Sequence, residues 1–598
     1  MFHSQSSTIN KRIDALREVM RRESVDAYIL NGTDPHLGEY VPDRWKTVAY
    51  ISGFTGSAGT VVVTLESAAL WTDSRYFVQA KQELAGTDIM LMRDGLPETP
   101  SIPQWIGSQL RDSQFREVAV DGDCWSENQV RQLKGELRRH GGLTLRANLD
   151  ALQTVWTDRP AAPSVPVVIQ PLEYAGEPVS AKLQRIRRAL REYHADGMLV
   201  AALDDVAWTL NLRGGDVEYN PLFLAYLLIA SDKATLFIDP CKVSDEVRTY
   251  LQGEGVEVDD YTHVAQGMRD YFEYNILLDP NQVNYRLFHA TQREVVEAPS
   301  PVPAMKAVKN AAEQRGFKSA MLRDGIAMTR FLCWLDTAVA KGGVTECSAA
   351  EQLRSFRAEQ PLYRGLSFET IAAYQEHGAI VHYEPTASTD VALCADGLFL
   401  VDSGGQYLDG TTDITRTVAL GPLTEEQRRV YTLVLKAHIR LQLAIFPEGT
   451  TGTQLDAVAR GELWRHGLHY MHGTGHGVGS YLCVHEGPHQ IRMQWKPTPL
   501  REGITVTNEP GIYLENRFGV RIENTLLVVG AMETECGRFL RFEPLTLCPI
   551  DLRPVMPELL APEEVAWLND YHAMVREALS PHLDATEQAW LHQATHTL

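Results

Sequence analysis

Two kinds of hydrophobic patterning alternate along the chain. Short apolar runs at residues 27–30, 61–64, 68–72 and 398–401 have the length and β-branched content of strands, and turn residues bound them. Longer stretches at 13–22, 183–193 and 313–338 place apolar residues three or four apart, which predicts amphipathic helices. In the first 300 residues the two kinds interleave twice. A helix at 13–22 leads to strands at 27–30, 61–64 and 68–73, and a helix at 183–193 leads through 197–201 and 206–215 to a strand ending at 236–239. Asp73 after Leu70-Trp71-Thr72 and Asp239 after Leu236-Phe237-Ile238 mark corresponding points, so the reading is two copies of one α/β unit. Proline clusters punctuate the chain at 160, 163, 166, 171 and 178 and again at 299, 301 and 303. The expected domains are therefore 1–157, 158–302 and 303–598, an α+β chain overall. Its last part carries a helical tail that starts at Pro562 and runs through Trp567, Leu568, Tyr571 and Val575, for packing or dimer contact. The glycine cluster Gly53, Gly56 and Gly59 fits neither GxxxxGK(S/T) nor GxGxxG, and reads as a tight strand connection rather than a phosphate loop.

The chemistry gathers between residues 397 and 529. The apolar run 398–401 delivers Asp402, and after a turn cluster (Gly404, Gly405, Asp409-Gly410) the residues Thr411, Asp413, Thr415 and Thr417 alternate as on a half-buried strand. A second hairpin is expected where 504–507 runs into Asn508-Glu509-Pro510-Gly511 and 520–523 returns with Glu523. Between the hairpins lies His472-Gly-Thr-Gly-His476-Gly-Val-Gly479, whose glycines let backbone pass close to a site. Four carboxylates in one small volume repel one another unless cations neutralise them. Hard oxygen donors with a single imidazole suit Mn²⁺, Co²⁺ or Zn²⁺, and a pair of such ions points to hydrolysis. Taken singly, Asp402, Asp413 and Glu509 could each be ordinary turn residues; their joint order is what favours a ligand set. Arg521, two positions before Glu523, would share its strand face and could orient a carboxylate such as Asp413.

Composition narrows the classes. The chain has 598 residues, 44% hydrophobic and 22% charged, enough for three or four globular domains. A net charge of −21 argues against a nucleic-acid partner. No apolar run long enough to span a membrane and no signal-type segment are seen, so the expectation is a cytoplasmic protein without membrane association. Eight cysteines without a CxxC motif read as reduced thiols, and Cys483, two residues before His485, as a packing residue.

The segments VDSG…DGTTDITRT, HGTGHGVGSYLCVHEGP, TNEPGIY and GVRIEN resemble the M24 metallopeptidases of pita-bread fold, and among them the long three-domain Xaa-Pro aminopeptidases (aminopeptidase P). The resemblance implies two creatinase-N-like domains before a pita-bread catalytic domain. It implies two divalent ions, Mn²⁺ foremost with Zn²⁺ or Co²⁺ as alternatives: Asp402 on one, His476 and Glu509 on the other, Asp413 and Glu523 bridging. It also implies that His382, His472 and His485 bind substrate and move protons, with Arg521 at the substrate site, and that the protein is a homodimer. One departure is Asn508, where the family often has Asp; it is not a ligand position. The implied reaction is release of the first residue from peptides with proline second, His382 or His485 steadying the oxyanion and Glu509 relaying the proton. A prolidase-type Xaa-Pro dipeptidase and a non-catalytic pita-bread binding module are the alternatives.

Overall fold

The apolar run Ala27–Asn31 (β1) pairs antiparallel with Thr60–Thr64 (β2), and β2 with Ala68–Thr72 (β3). Ile89–Arg93 (β4) lies parallel to β3, while Glu117–Ala119 (β5) and Thr144–Arg146 (β6) extend the other edge in parallel, giving the order β4-β3-β2-β1-β5-β6. Helices cover both faces, which is why the central strands are apolar throughout instead of alternating. Ile9, Ile13, Leu16 and Met20 of helix α1 (Phe2–Arg22) pack with Tyr28, Leu30, Val61 and Val63; Leu133 and Leu137 of α2 (Glu127–Gly141) pack with Ile29, Val62 and Ala69 on the other side. Burial of each such side chain contributes about 1.5–3 kcal/mol.

The computed structural model describes residues 2–598, with side chains from Ser6 onward. It divides into two units, Met1–Gln170 with Glu177–Val302, and Pro171–Gly176 with Pro303–Leu598. The first unit holds a second six-stranded sheet behind helix α3 (Val179–Glu192). Its strands are Met198–Val200 (β7), Ala225–Ile229 (β8), Ala234–Ile238 (β9), Val256–Asp259 (β10), Asn275–Leu278 (β11) and Glu294–Glu297 (β12), in the order β10-β9-β8-β7-β11-β12. Antiparallel pairs β7/β8 and β8/β9 and parallel pairs β9/β10, β7/β11 and β11/β12 repeat the first sheet in order and in every direction. The glycine cluster is a connection, as read: Gly53 ends the helix Thr47–Ser52 with φ +76°, and a Cβ on Gly56 would lie 2.3 Å from the Phe54 ring.

The second unit opens on α4 (Ala311–Lys341), whose first turn is capped by the Asn310 side chain and whose inner face buries Phe317, Met321, Met328, Phe331 and Leu335. Ile371–Tyr374 (β13) pairs with Leu398–Ser403 (β14). Two short strands follow, Gly405–Tyr407 (β15) and Gly410–Thr411 (β16), before Ile414–Ala419 (β17) returns along β14. Helices α5 (Glu425–Gln442) and α6 (Gly452–Trp464) lead to Gly475–Gly477 (β18) and Glu486–Ile491 (β19), which pair with a register shift at His476/Gly477. The expected second hairpin is corrected here. Thr505–Asn508 (β20) pairs not with 520–523 but with Asn524–Thr534 (β23), and the tight hairpin is Gly511–Leu514 (β21) with Phe518–Arg521 (β22). The cause is Pro510-Gly511, which breaks the strand and starts a new one within two residues. Gly537–Pro544 (β24) completes the β23 edge. In the tail, α7 (Pro562–Leu579) buries Leu568, Tyr571 and Val575 in the same core as Val434, Leu435 and Ile522, so it packs within this unit. Among the described residues no helix is long and apolar enough to cross a membrane, and no cysteine forms a disulfide.

Candidate active site

Asp402 is the penultimate residue of β14, opposite Thr415, and Asp413 stands one residue before β17, not on it. Glu523 occupies the junction between β22 and β23. Its carboxylate accepts from Thr415 Oγ1 at 2.7 Å, and its amide donates to the Thr415 carbonyl at 3.1 Å. Thr415 thus ties the two carboxylate-bearing segments together. Beneath them the fully buried Arg416 donates to the carbonyl of Glu523 (2.6 Å), to Asn524 Oδ1, to the carbonyls of Pro549 and Cys548, and to the Tyr571 hydroxyl of α7.

The glycine loop brings the imidazoles. On α6, Asp456 accepts from Thr474 Oγ1 at 2.6 Å, and Arg460 donates to the carbonyl of His472 at 2.7 Å, fixing both ends of the turn. A Cβ on Gly475 would fall 1.9 Å from the Thr507 carbonyl, so only glycine lets β18 approach β20 this closely. His476 Nδ1 lies 2.9 Å from the Gly477 carbonyl and must carry the proton, since a carbonyl only accepts. Its Nε2 therefore faces Asp413 at 3.4 Å and Glu509 at 3.5 Å. The His485 ring stands edge-on to His476, with centroids 4.4 Å apart.

Arg521 is 2% exposed and holds Asp402, not the expected Asp413: Nη2 and Nε reach Asp402 Oδ2 at 2.6 and 3.1 Å. The strand ends at Arg521, so the two-residue face-sharing with Glu523 does not apply. From Arg521 a directed chain runs outward. Nη1 donates to the Tyr513 hydroxyl (2.7 Å), that hydroxyl donates to His472 Nε2 (2.8 Å), and His472 Nδ1 donates to the Gly473 carbonyl (2.7 Å). Nη2 also donates to the Val381 carbonyl at 3.3 Å, which sets the segment carrying His382 beside the site. The sequence marks Thr415 only as a strand position and gives no role to Tyr513 or Arg416; an aromatic two residues past Pro-Gly in a site segment is the available signal for Tyr513. Asn508 turns the other way, its amide donating to the His438 carbonyl.

The electrostatics are those of a buried acidic centre. Burial, then Asp413, Asp402 and Glu509, push Glu523 well above the usual carboxylate range. Burial raises Glu509 to about 7, against the opposing pull of His476, and raises Asp402 although Arg521 opposes it. Burial alone would depress His476, but its hydrogen bond to Asp413 and the charge of Glu509 outweigh that and lift it to about 9. Ligand atoms of Asp413, His476 and Glu523 lie within 4.8 Å of one another, and Asp402 Oδ1 is buried with no hydrogen-bond partner. Carboxylate oxygens with one imidazole and an orphaned oxygen fit a divalent-cation centre.

Comparison with known proteins agrees with this chemistry. Residues 315–529 match metallopeptidase family M24 and residues 538–598 its C-terminal region, while 12–146 and 158–313 each match a creatinase/prolidase N-terminal domain. Aminopeptidase P1 of Arabidopsis thaliana is 38% identical over 98% of both chains, and a probable Xaa-Pro aminopeptidase P of Neurospora crassa 38% identical over 99% of this chain and 90% of its own. The chain belongs to the aminopeptidase P branch of metallopeptidase family M24. The X-prolyl aminopeptidase of Caenorhabditis elegans, described as a cytosolic enzyme with a di-nuclear active site, superposes on this M24 chain with TM-score 0.95, 35% identity and coverage of 99% and 100%. An Xaa-Pro dipeptidase of Bacillus anthracis shares the fold over 63% of the chain (TM-score 0.52, 24% identity). The M24 fold of two creatinase-type domains before a pita-bread domain is thus as expected.

Proposed function

We propose that this site is the active centre of an Xaa-Pro aminopeptidase that releases the first residue of peptides whose second residue is proline. The observation that carries this reading is the meeting of Asp413, His476 and Glu523 ligand atoms within 4.8 Å, in a chain that matches aminopeptidases P along its whole length. Asp402, Asp413 and Glu523 would hold one divalent ion, and His476, Glu509 and the same two bridging carboxylates a second. Such ions polarise a carbonyl and acidify water.

The chain's own residues do the rest. His476, with its Nδ1 proton committed to Gly477, offers Nε2 to the centre. Glu509, as the carboxylate, takes a proton from the attacking water and hands it to the leaving nitrogen. His382 and His485 donate to the carbonyl oxygen of the first residue, and His472 and Arg521 complete the substrate side. The free α-amino group of the peptide sits among the carboxylates, which counts one residue from the end. Proline makes the scissile bond a tertiary amide without N–H, so recognition falls to a pocket for its ring. Mn²⁺ as the working ion, a homodimer and a cytoplasmic location complete the proposal; the relative described as cytosolic and the disulfide-free cysteines support the last.

The test is cleavage of Arg-Pro-Pro by chelator-stripped protein, with Mn²⁺, Co²⁺ or Zn²⁺ restored singly, beside an Arg-Pro dipeptide and Glu523→Ala. Metal-dependent release of arginine from the tripeptide, lost in the variant, is the expected result. Cleavage of the dipeptide alone would make the protein a prolidase. No cleavage with any ion, from a folded wild type, would leave a binding module.

A further inference from the structure

Between Asp402 and Asp413 the chain makes an excursion that a plain hairpin does not need: β15, a turn at Asp409, and β16. The excursion stands on α4. A Cβ on Gly316 would fall 2.1 Å from the Asp409 carbonyl, Arg323 pairs with Asp409, and the Tyr407 hydroxyl donates to Asp324 Oδ1 at 3.0 Å. From this footing Thr411 Oγ1 donates to Gln406 Oε1 at 2.8 Å, which fixes the Gln406 amide so that Nε2 donates to the Leu482 carbonyl, also at 2.8 Å. The Leu482 amide donates back to Thr411 Oγ1 at 3.4 Å. Gln406 is 3% exposed, Thr411 and Leu482 no more than 1%.

Leu482 is the tip of a tight loop closed by the Gly479 amide donating to the Cys483 carbonyl, with Tyr481 left-handed at φ +51°. Three residues further on is His485. On its other side Glu486 is paired with the buried Lys309, which also donates to the Lys306 carbonyl. His485 is thereby suspended between two anchored points, one of them built from the segment that links the two aspartates.

We infer that Gln406 and Thr411 are positioning residues for His485. They grip both the amide and the carbonyl of Leu482, so the imidazole on the substrate side and the aspartates on the ion side are placed by one piece of chain. The inference rests on the aminopeptidase reading of the site. Misplacement of a reacting group by 1 Å costs about 100-fold in rate, so a loop released from this clamp loses turnover before it loses structure.

The test pairs kinetics with hydrogen exchange. Gln406→Met removes the amide at similar volume; Thr411→Val removes the hydroxyl and Thr411→Ser keeps it. Each is made in the wild type and in His485→Ala, with Mn²⁺ bound. For Arg-Pro-Pro, Gln406→Met and Thr411→Val are expected to lower kcat about 10- to 100-fold with KM changed less. Thr411→Ser should remain near wild type, and Gln406→Met should have no further effect once His485 is alanine. Deuterium uptake in a peptide covering residues 479–486 should rise in Gln406→Met while metal affinity by calorimetry is unchanged. Equal losses in both backgrounds would show a merely structural role, and unchanged kcat with unchanged exchange would also overturn the inference. Should Gln406→Met not fold, the Thr411 pair carries the same comparison. An inactive wild type would instead sink the aminopeptidase reading, and exchange would still report whether the clamp holds the loop.

Discussion

At the scale of residues, the candidate site is a problem of charge. Asp402, Asp413, Glu509 and Glu523 face the single guanidinium of Arg521 and the imidazole of His476 in a buried volume. Arg521→Met would strip Asp402 of its counter-charge without opening much space. Metal affinity, read by competition with a chelator, is expected to fall about 10- to 100-fold, with kcat falling alongside. Protons and cations compete for the same oxygens, so pH acts in a known direction. Burial holds Glu509 at about 7 and its carboxylate neighbours hold His476 at about 9; both must lose a proton to take a cation, so metal affinity should climb from about pH 6 through pH 8 and beyond. Calorimetric titration at pH 6 and 8 checks the sign, and tighter binding at pH 6 would contradict it.

At the scale of elements, what holds the site is a set of close backbone approaches. A Cβ on Gly519 would lie 1.7 Å from the Gly378 carbonyl, backbone against backbone with no rotamer to relieve it. Gly519→Ala should therefore move β22 and the guanidinium two residues further on. The expectation is a loss of about 1–3 kcal/mol in urea denaturation together with a loss of activity far larger than stability alone would give. This level also shows what was readable in the sequence. Asp402, Asp413, His476, Glu509 and Glu523 were legible because each is a metal-type residue in a recurrent order, and the structure brings them together. Arg521 holds Asp402 and not a bridging carboxylate such as Asp413, because the strand stops at Arg521 and does not run on to Glu523. Gln406 and Arg416 could not be read at all. Their meaning lies in carbonyls 76 and 107 residues away, and neither residue type announces such a role locally.

At the scale of the whole molecule, the duplicated sheet was the most legible feature, because Asp73 and Asp239 end equivalent apolar runs. The way the two copies join was not. In the first unit His36 is buried, its Nδ1 donating to the Ala201 carbonyl at 2.8 Å, its Nε2 3.0 Å from the Tyr261 hydroxyl and its ring stacked on Tyr226. Burial depresses it to about 3, whereas an unfolded histidine titrates near 6.5. The unfolded chain therefore takes up a proton that the native unit refuses. The stability His36 contributes is fully present above about pH 6.5 and is lost as pH falls from there towards 3. Destabilisation by His36→Gln, measured in urea, should accordingly shrink by about 2 kcal/mol between pH 7.5 and pH 5. A difference independent of pH would mean that the ring titrates in the native unit as it does in the unfolded chain.

The hydrogen bonds of Arg416 set an order of events during synthesis. This guanidinium supports Glu523 from below, yet three of its acceptors, the carbonyls of Cys548 and Pro549 and the hydroxyl of Tyr571, lie 132 to 155 residues downstream. All the ligand-type side chains precede α7 in the chain, and until Tyr571 arrives Arg416 lacks its full set of partners. A chain interrupted before that helix would carry every reactive group and still lack a formed centre.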